Sequence, residues 1–370
     1  MIFRHQILPL LAGLFLLSVP LSANAVGPDT HTPLEQACFP SLESAIRVKG
    51  PIFFCNEPVP LALPTIRERL EKELLLMLWD RAQVILWLKR TGRYFPYIED
   101  ALAKAGLPDD LKYVAVIESA LMPHAGSVRG ANGVWQFIES TGRNHGLTIN
   151  RYVDERRNYR LATTAALSYF KDLYAQFESW TLACAGYNMG EMGLARCIKA
   201  QEVSNYYHLD LPTETERYVL RAIAAKIILT APGKYGFRLR PGDYYRPAPC
   251  DSIVLKTGRA APILVVAKAA NTYYKTVRDL NPQFRFDEIP AGEHTLFLPK
   301  GSSKGFAARY KKFIAKYQDE HGTRTYTVRN GDTLTGIADR TGTSFHTLLK
   351  LNNLHRRSVI HPGQRLAIPH

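Results

Sequence analysis

Apolar residues recur at helical spacing through most of the chain between positions 65 and 235. The first clear run is Leu70, Leu74, Leu78, Ile85 and Leu88. Intervals of three, four and seven residues are typical of a helix with a buried face. Thr65 to Glu68 has the form of a capping box, and Gly92 is a stop signal. We therefore predict an N-terminal extension over residues 26–92 that ends in one long scaffold helix.

Further helical patterns follow, and strand-like alternation is almost absent. The predicted helices are Tyr97–Ala105, Asp109–Ala120, Glu139–Gly146, Leu161–Phe177, Thr181–Tyr187 and Thr213–Thr230. The interpretation is one all-helical domain over residues 93–240.

After Pro241 the pattern changes and a repeat appears. Val266 to Asn281 aligns without gaps with Ile337 to Asn352, an offset of 71 residues. In the second copy Tyr326–Val328 is strand-like, Asp332 can cap a helix that begins at Thr333, and Ser344 can cap another. We predict two β-α-α-β modules, over residues 250–300 and 324–370, joined by a basic linker over 301–323. The overall fold class is mainly α.

Composition and charge limit the classes of function that the chain can have. The chain has 370 residues, of which 46% are hydrophobic and 22% charged, so it is globular. From position 241 onward the chain has 20 Lys and Arg but only 10 Asp and Glu, and this excess accounts for most of the net charge of +14. Such a tail favours an anionic partner. An acidic cell-wall polymer suits an exported chain better than nucleic acid, so we expect no nucleic-acid binding.

Export is predicted from the N-terminus. Arg4 and His5 precede an apolar run from Ile7 to Leu21, and the small residues up to Ala25 form a cleavage site. The alternative is an uncleaved anchor, but the run is short for a membrane span. We predict a signal peptide over residues 1–25, a periplasmic location, no transmembrane segment after cleavage, and a monomer.

Five cysteines follow the predicted cleavage site. Cys38 and Cys55 lie in a proline-rich stretch that a disulfide would stabilise, so we favour that pair. Metal binding is the other interpretation, but no Cys or His pair has ligand spacing. The prediction is no metal and no cofactor.

The candidate chemistry lies in two neighbouring stretches, VIESA at 116–120 and GANGVWQF at 130–137. Val116 and Ile117 give Glu118 an apolar wall, and desolvation raises the pKa of a carboxyl group. A neutral acid of this kind can protonate the leaving oxygen of a glycosidic bond. The alternative is an ordinary helix glutamate in water. Gln136 can hydrogen-bond a substrate, whereas Trp135 can equally be a core residue.

A second carboxylate is offered by YVDERR. Asp154 and Glu155 could serve as the partner acid of a hydrolase. Arg151, Arg156 and Arg157 surround them, however, which favours a structural ion-pair network.

Ordered motifs give the chain a family resemblance. GLPDDLKYVAVIESA, GANGVWQFIESTGR, YVDERRN, GYNMGE and LPTETERYV resemble the SLT-family lytic murein transglycosylases, most closely the membrane-bound D type, over roughly residues 60–240. The resemblance implies a lysozyme-like fold with Glu118 as the single catalytic acid. The substrate-binding candidates are Ser119, Ser127, Gln136, Tyr187, Asn188 and Tyr218. Gly186 and Met189 stand where the family usually has alanine.

The C-terminal copy, with YTVRNGDTLTGIA, resembles the LysM domain, which implies binding to N-acetylglucosamine of peptidoglycan. The sugar-binding candidates are Gly331, Asp332, Thr333, Leu334 and Ile360. The first copy lacks the Gly-Asp-Thr-Leu stretch and is expected to contribute packing or charge. The implied activity is cleavage of the MurNAc–GlcNAc bond with 1,6-anhydro ends, and the open alternatives are a hydrolytic muramidase and a non-catalytic wall-binding scaffold.

Overall fold

The computed structural model describes residues 41–369, and helices dominate its N-terminal two thirds. The elements there are α1 (Leu42–Ala45), β1 (Phe53–Phe54), β2 (Glu57–Pro58), α2 (Pro64–Trp79), α3 (Arg81–Ala105), α4 (Lys112–Ser119), α5 (Glu139–Asn144), α6 (Tyr159–Phe177), α7 (Trp180–Met189), α8 (Glu191–Gln201) and α9 (Thr213–Thr230). The predicted mainly α fold class is confirmed. Helix α8 was not predicted.

The predicted long helix is two helices, so three details of that prediction are wrong. Helix α2 begins at Pro64, which suits the first turn because of its fixed φ and missing N–H. Its N-cap residue is Leu63, which offers no side-chain cap. The helix is interrupted at Asp80, whose carboxylate accepts the N–H of Gln83 and caps α3. Gly92 lies inside α3. An added Cβ there would lie 2.8 Å from Cβ of Tyr244, so this glycine permits close packing.

Helix α9 is the centre of the helical domain and packs against α2, α4 and α7. Its inward side chains are buried and small or branched, such as Val219, Ala222 and Ile223. Arg217 on the same helix donates to both carboxylate oxygens of buried Glu73, at 2.6 and 3.0 Å. This packing brings Glu73 and Arg217, which are 144 positions apart, into contact.

The hairpin β1–β2 closes one side of this core. Glu57 accepts the N–H groups of Trp180 and Thr181 and thereby caps α7. Next to it, Cys55 is a buried free thiol, so the structure holds no disulfide at Cys55. Cys38, its predicted partner, and the predicted signal peptide lie outside the described residues. Among residues 41–369, no helix is both long and apolar enough to cross a membrane.

Two small modules follow. The first contains β3 (Cys250–Thr257), β4 (Ala261–Pro262), α10 (Ile263–Ala269), α11 (Tyr274–Leu280), β5 (Glu288–Ile289) and β6 (Gly292–Pro299). Strand β3 pairs antiparallel with β6, and β4 pairs with β5. Helix α12 (Phe306–His321) continues from it and packs on α10. The basic linker is therefore largely helical.

The second module contains β7 (Thr323–Thr327), α13 (Leu334–Thr341), α14 (Phe345–Leu351) and β8 (Arg365–Pro369), with β7 antiparallel to β8. Thr333 is the N-cap of α13 and accepts the N–H of Gly336, one residue later than predicted. Ser344 caps α14 as predicted. Each module has its own buried cluster.

Candidate active site

A cleft of about 720 Å³ opens on the helical domain. Its lining comes from the end of α4, the loop before α5, the α7–α8 junction and the start of α9. The lining residues include Glu118, Ser127, Arg129, Gln136, Tyr169, Tyr187, Asn188, Glu191 and Glu214.

Glu118 is the penultimate residue of α4, a helix whose other side chains are buried. Glu118 itself is only partly buried and lines the cleft. Two arginines bind the carbonyls at this helix end: Arg221 donates to Ile117 O at 3.1 Å and Arg90 to Ala120 O at 3.0 Å. Ala120 is left-handed, with φ of 54°, and so ends the helix one residue after the acid.

Burial raises the pKa of Glu118 to about 7. The hydrogen bond from Tyr218 and the charge of Arg221 lower it, while the nearby charge of Glu214 raises it further. Desolvation is the largest of these causes, because removing water penalises the carboxylate more than the neutral acid. The predicted effect of the apolar helix end is therefore present, and Glu118 is largely protonated below neutral pH.

Tyr218 is buried and donates to Oε1 of Glu118 at 2.5 Å. Burial raises the pKa of this phenol well above its usual range, so it remains a donor. The side chain does not form part of the cleft lining. Tyr218, expected to bind substrate, therefore contacts the acid instead.

The loop before α5 carries Gln136 with a left-handed backbone, φ 48°. Its amide nitrogen donates to Gly133 O at 2.7 Å and Ala125 O at 3.0 Å, and the side chain lines the cleft. Trp135 points the other way: it is fully buried, and its Nε1 donates to Thr163. Gln136 thus lies in the cleft and Trp135 in the core.

Tyr187 and Asn188 line the cleft from the end of α7. Tyr187 stacks on Phe170 with ring centres 4.7 Å apart and donates to Trp135 O at 2.8 Å. Oδ1 of Asn188 accepts from Thr215 at 2.8 Å. These bonds fix both side chains before any ligand binds. At nearby Gly186 an added Cβ would lie 3.0 Å from a side-chain carbon of Leu173, so a larger residue there would require that side chain to shift.

The two serine candidates differ. Ser127 lines the cleft, and its Oγ accepts the N–H of Ala131. Ser119 is buried and donates to Val134 O at 2.7 Å. Because Ser119 ties α4 to the loop before α5 and does not reach the cleft, its expected role as a substrate ligand is corrected.

The YVDERR carboxylates do not line the cleft. Asp154 is buried and binds Nε and Nη2 of Arg156 at 2.8 and 2.9 Å. Glu155 accepts the N–H of Thr148. The predicted ion-pair network is confirmed for Asp154 and Arg156. Within residues 41–369, no group of three His, Cys, Asp or Glu side chains is arranged to hold a metal ion.

Comparison with known proteins shows which families the segments of this chain resemble. Residues 96–209 match the model of the Transglycosylase SLT domain, and residues 326–369 match that of the LysM domain. These two segments are called the SLT domain and the LysM domain below, after the models that they match. Glu118, Gln136, Tyr187 and Asn188 all fall within the matched segment.

Curated relatives extend the similarity beyond the SLT domain. The chain is 32% identical over 295 residues to the membrane-bound lytic murein transglycosylase D of Escherichia coli (strain K12), covering 75% of this chain and 64% of the relative. The chain therefore spans a little under two thirds of that relative. It is also 45% identical over 47 residues to the N-acetylmuramoyl-L-alanine amidase sle1 of Staphylococcus epidermidis, which is 13% of this chain and 14% of the relative.

Among solved structures, an inactive mutant of the lytic transglycosylase Slt from Pseudomonas aeruginosa is 18% identical, with a TM-score of 0.28. That match covers 41% of this chain and 26% of the other.

Sequence reasoning missed two carboxylates of the SLT-domain cleft. Glu214, at the start of α9, is largely exposed, and its Oε2 lies 3.9 Å from Nη1 of Arg129. Glu191 begins α8 and accepts from Tyr169 at 2.8 Å. Both are acidic residues in a first helical turn, which is a common place for them, so their pattern carried no signal of a cleft.

The candidate sugar residues of the LysM domain have different surroundings. Gly331 and Thr333 are exposed, with Gly331 at φ 85°. The Asp332 carboxylate accepts from Tyr326, Arg340 and the N–H of Arg329, each at 2.8 Å. Leu334 is buried in the module core, and Ile360 packs against it. Leu334 is thus a core residue and Asp332 shapes its own loop.

Proposed function

We propose that this chain is a lytic transglycosylase of peptidoglycan that cleaves the MurNAc–GlcNAc β-1,4 bond and leaves 1,6-anhydro-MurNAc ends. The observation that carries the proposal is a carboxyl group that lines the SLT-domain cleft and has a pKa of about 7. Such a group is protonated often enough at neutral pH to act as a general acid, and its conjugate base can then accept a proton.

Glu118 performs both proton transfers in this mechanism. Its carboxyl proton goes to the bridging oxygen as the bond from that oxygen to the anomeric carbon breaks. The C6 hydroxyl of the same sugar then bonds to the anomeric carbon, and its proton goes to the Glu118 carboxylate. No water is consumed. Attack within one sugar is effectively unimolecular, which favours it over water.

The surrounding residues are proposed to hold the glycan and the acid. Gln136, Tyr187, Asn188 and Ser127 line the cleft and would bind saccharide. Tyr218 would orient Glu118, because its bond to Oε1 leaves Oε2 to carry the proton.

A hydrolytic muramidase is the second candidate, and Glu214 favours it. This exposed carboxylate faces the same cleft and is close enough to raise the pKa of Glu118. An inverting hydrolase needs a second carboxylate to activate water. Mass spectrometry of digested peptidoglycan separates the two, since anhydro ends are lighter than reducing ends by one water. Reducing ends as the main product would overturn the transglycosylase proposal.

The remaining parts complete the proposal. The chain is exported to the periplasm, acts as a monomer without a cofactor, and is held on the wall by its LysM domain. Gly331 and Thr333 are exposed on that domain and would contact N-acetylglucosamine. Cell fractionation together with N-terminal sequencing of the mature protein tests export and the cleavage after Ala25.

A further inference from the structure

The first module is fastened to the SLT domain along a docking seam, formed by residues 152–158 and 280–286. Asp154 N donates to Gln283 O at 2.8 Å, and Arg285 N donates to Tyr152 O at 2.9 Å. Between these two bonds, Val153 forms a β-bridge with Phe284. The seam is therefore a short piece of sheet shared by the two domains.

The seam is also buried. Nδ2 of Asn158 donates to Oε1 of Gln283 at 2.9 Å, and each residue is only 1% exposed. Val153 belongs to the hydrophobic cluster of the module together with Phe284. A buried amide pair costs free energy when it is separated, because neither group regains a partner inside the protein. The seam therefore holds the first module in one position on the SLT domain.

In the first module, the segment that corresponds to the exposed loop of the LysM domain is paired and buried. Strand β4 pairs with β5 through Ala261 and Ile289, and both residues are fully buried. The N–H of Ile263, which begins α10 as Leu334 begins α13, donates to Asp287 O. Thr333, just before α13, is exposed. The first module therefore lacks the open loop that the LysM domain presents.

A chain of contacts leads from the seam to the cleft. Asp154 binds Arg156 through two hydrogen bonds. Nη1 of Arg156 donates to Gly130 O at 2.8 Å and to Phe137 O at 3.1 Å. These carbonyls bracket the loop that carries Gln136.

The middle of that loop is held just as closely. A Cβ on Gly133 would lie 1.8 Å from the carbonyl oxygen of Arg156, so the two backbones are in contact. Gly133 O in turn accepts from the Gln136 amide.

We propose that the first module is a positioning part of the active site: Gln283, which binds Asn158 through its side chain and Asp154 through its carbonyl, holds the seam in place, and Arg156 on that seam fixes the loop that presents Gln136 to the glycan. This role rests on the proposed function, since it assigns Gln136 to saccharide binding. It predicts that the module sets the affinity for glycan, although it has no contact with the cleft itself.

The test is Gln283→Ala in the full-length chain, assayed on short soluble glycans. We expect KM to rise about tenfold, in keeping with the cost of slightly misplaced binding groups, while kcat changes much less. A role in stability alone would reduce the folded fraction and hence the apparent kcat, leaving KM in place. In the Glu118→Gln background, the same substitution should weaken binding of the glycan by a similar factor.

Two further variants keep the test decisive. Asn158→Ser keeps a good N-cap for α6 but removes the amide that reaches Gln283. If the two residues act through each other, the double variant should have the KM of either single variant. Phe286→Ala is the milder change if Gln283→Ala fails to fold, since Phe286 is half exposed and touches Tyr152 at the seam. It should raise KM in the same direction.

Asn352→Ala is the matched control, because it removes a structural amide from the LysM domain without touching the seam. Its KM for soluble glycans should equal that of the unchanged chain. An unchanged KM in folded Gln283→Ala or Phe286→Ala, or an additive double variant, overturns the positioning role. Anhydro products from the unchanged chain would at the same time leave the proposed function standing. No glycan cleavage by the unchanged chain would instead fail the proposed function.

Discussion

The phenol of Tyr218 lies 2.5 Å from Oε1 of Glu118, although a hundred residues separate them in the chain. Helix α9 brings the phenol to the end of α4, where it donates to the acid from a buried position. The bond opposes the effect of burial on the Glu118 pKa, so the value of about 7 reflects a balance between the two.

Glu118→Gln should remove lysis, because the amide keeps the shape of the side chain but cannot transfer the proton. We expect a loss of about 10²–10⁴-fold or more in kcat, with the fold retained by circular dichroism. Glu139→Gln is the control, since Glu139 lies outside the cleft lining and pairs with Arg143. Near-normal turnover by folded Glu118→Gln would remove Glu118 from the mechanism.

The pH dependence of kcat/KM should report the Glu118 acid. Activity should decline above about pH 7 as the proton is lost. Tyr218→Phe removes a bond that lowers the pKa, so its declining limb should move to higher pH. Glu214→Gln removes a neighbouring negative charge, so its limb should move to lower pH. Limbs that move together, or not at all, would show that another group controls the rate.

Stability should depend on pH through the same group. The folded pKa of Glu118 is raised from 4.5 to about 7, so between these values the folded state holds a proton that the unfolded chain has released. Stability contributed by this proton is complete below about pH 4.5 and is lost as pH rises to about 7. Glu118→Gln has no such loss. As pH rises from about 4.5 to about 7, the melting temperature of Glu118→Gln should therefore increase relative to that of the unchanged chain. A difference between the two melting temperatures that does not vary with pH would contradict the raised pKa of Glu118.

Alanine substitutions at Gly133 and Gly130 distinguish the cost of steric overlap from the cost of backbone strain. Both have positive φ, 82° and 77°, but only at Gly133 would a Cβ meet a backbone atom. Gly130→Ala should cost about 1–2 kcal/mol in urea unfolding, the usual cost of a left-handed alanine. Gly133→Ala should cost about 4 kcal/mol or more, as expected for a buried clash. Equal costs would mean that the contact with Arg156 is loose.

Deletion from Gly322 onward should weaken sedimentation with insoluble peptidoglycan and slow its lysis. Cleavage of short soluble glycans should stay nearly unchanged, because the LysM domain has its own core and the cleft lies elsewhere. The tail acts by raising the local concentration of cleavable glycan around the cleft. Its electrostatic part should fade with salt, since charges are screened beyond about 8 Å at 0.15 M. Equal sedimentation of the truncated and complete chains would show that the tail is not the anchor.

The sequence determined the features that depend on near neighbours along the chain. Helical periodicity predicted the helical domain, and an apolar run ending in one acid predicted a raised pKa for Glu118. Caps at Ser344 and close glycines in the 130–137 loop follow from the same kind of local rule. The family resemblance added Gln136, Tyr187 and Asn188, which the structure brings to one cleft.

Tertiary structure decided which distant residues meet. Helix α3 continues through Gly92, where the missing Cβ leaves room for Tyr244, a packing partner far away in the chain. Tyr218 faces the acid, Ser119 faces the core, and Glu214 faces the cleft, although all three lie in ordinary helical patterns. The seam through Asn158 and Gln283 joins residues 125 positions apart. Local patterns report how buried a side chain is, but only the packing of whole helices and modules fixes what it is buried against.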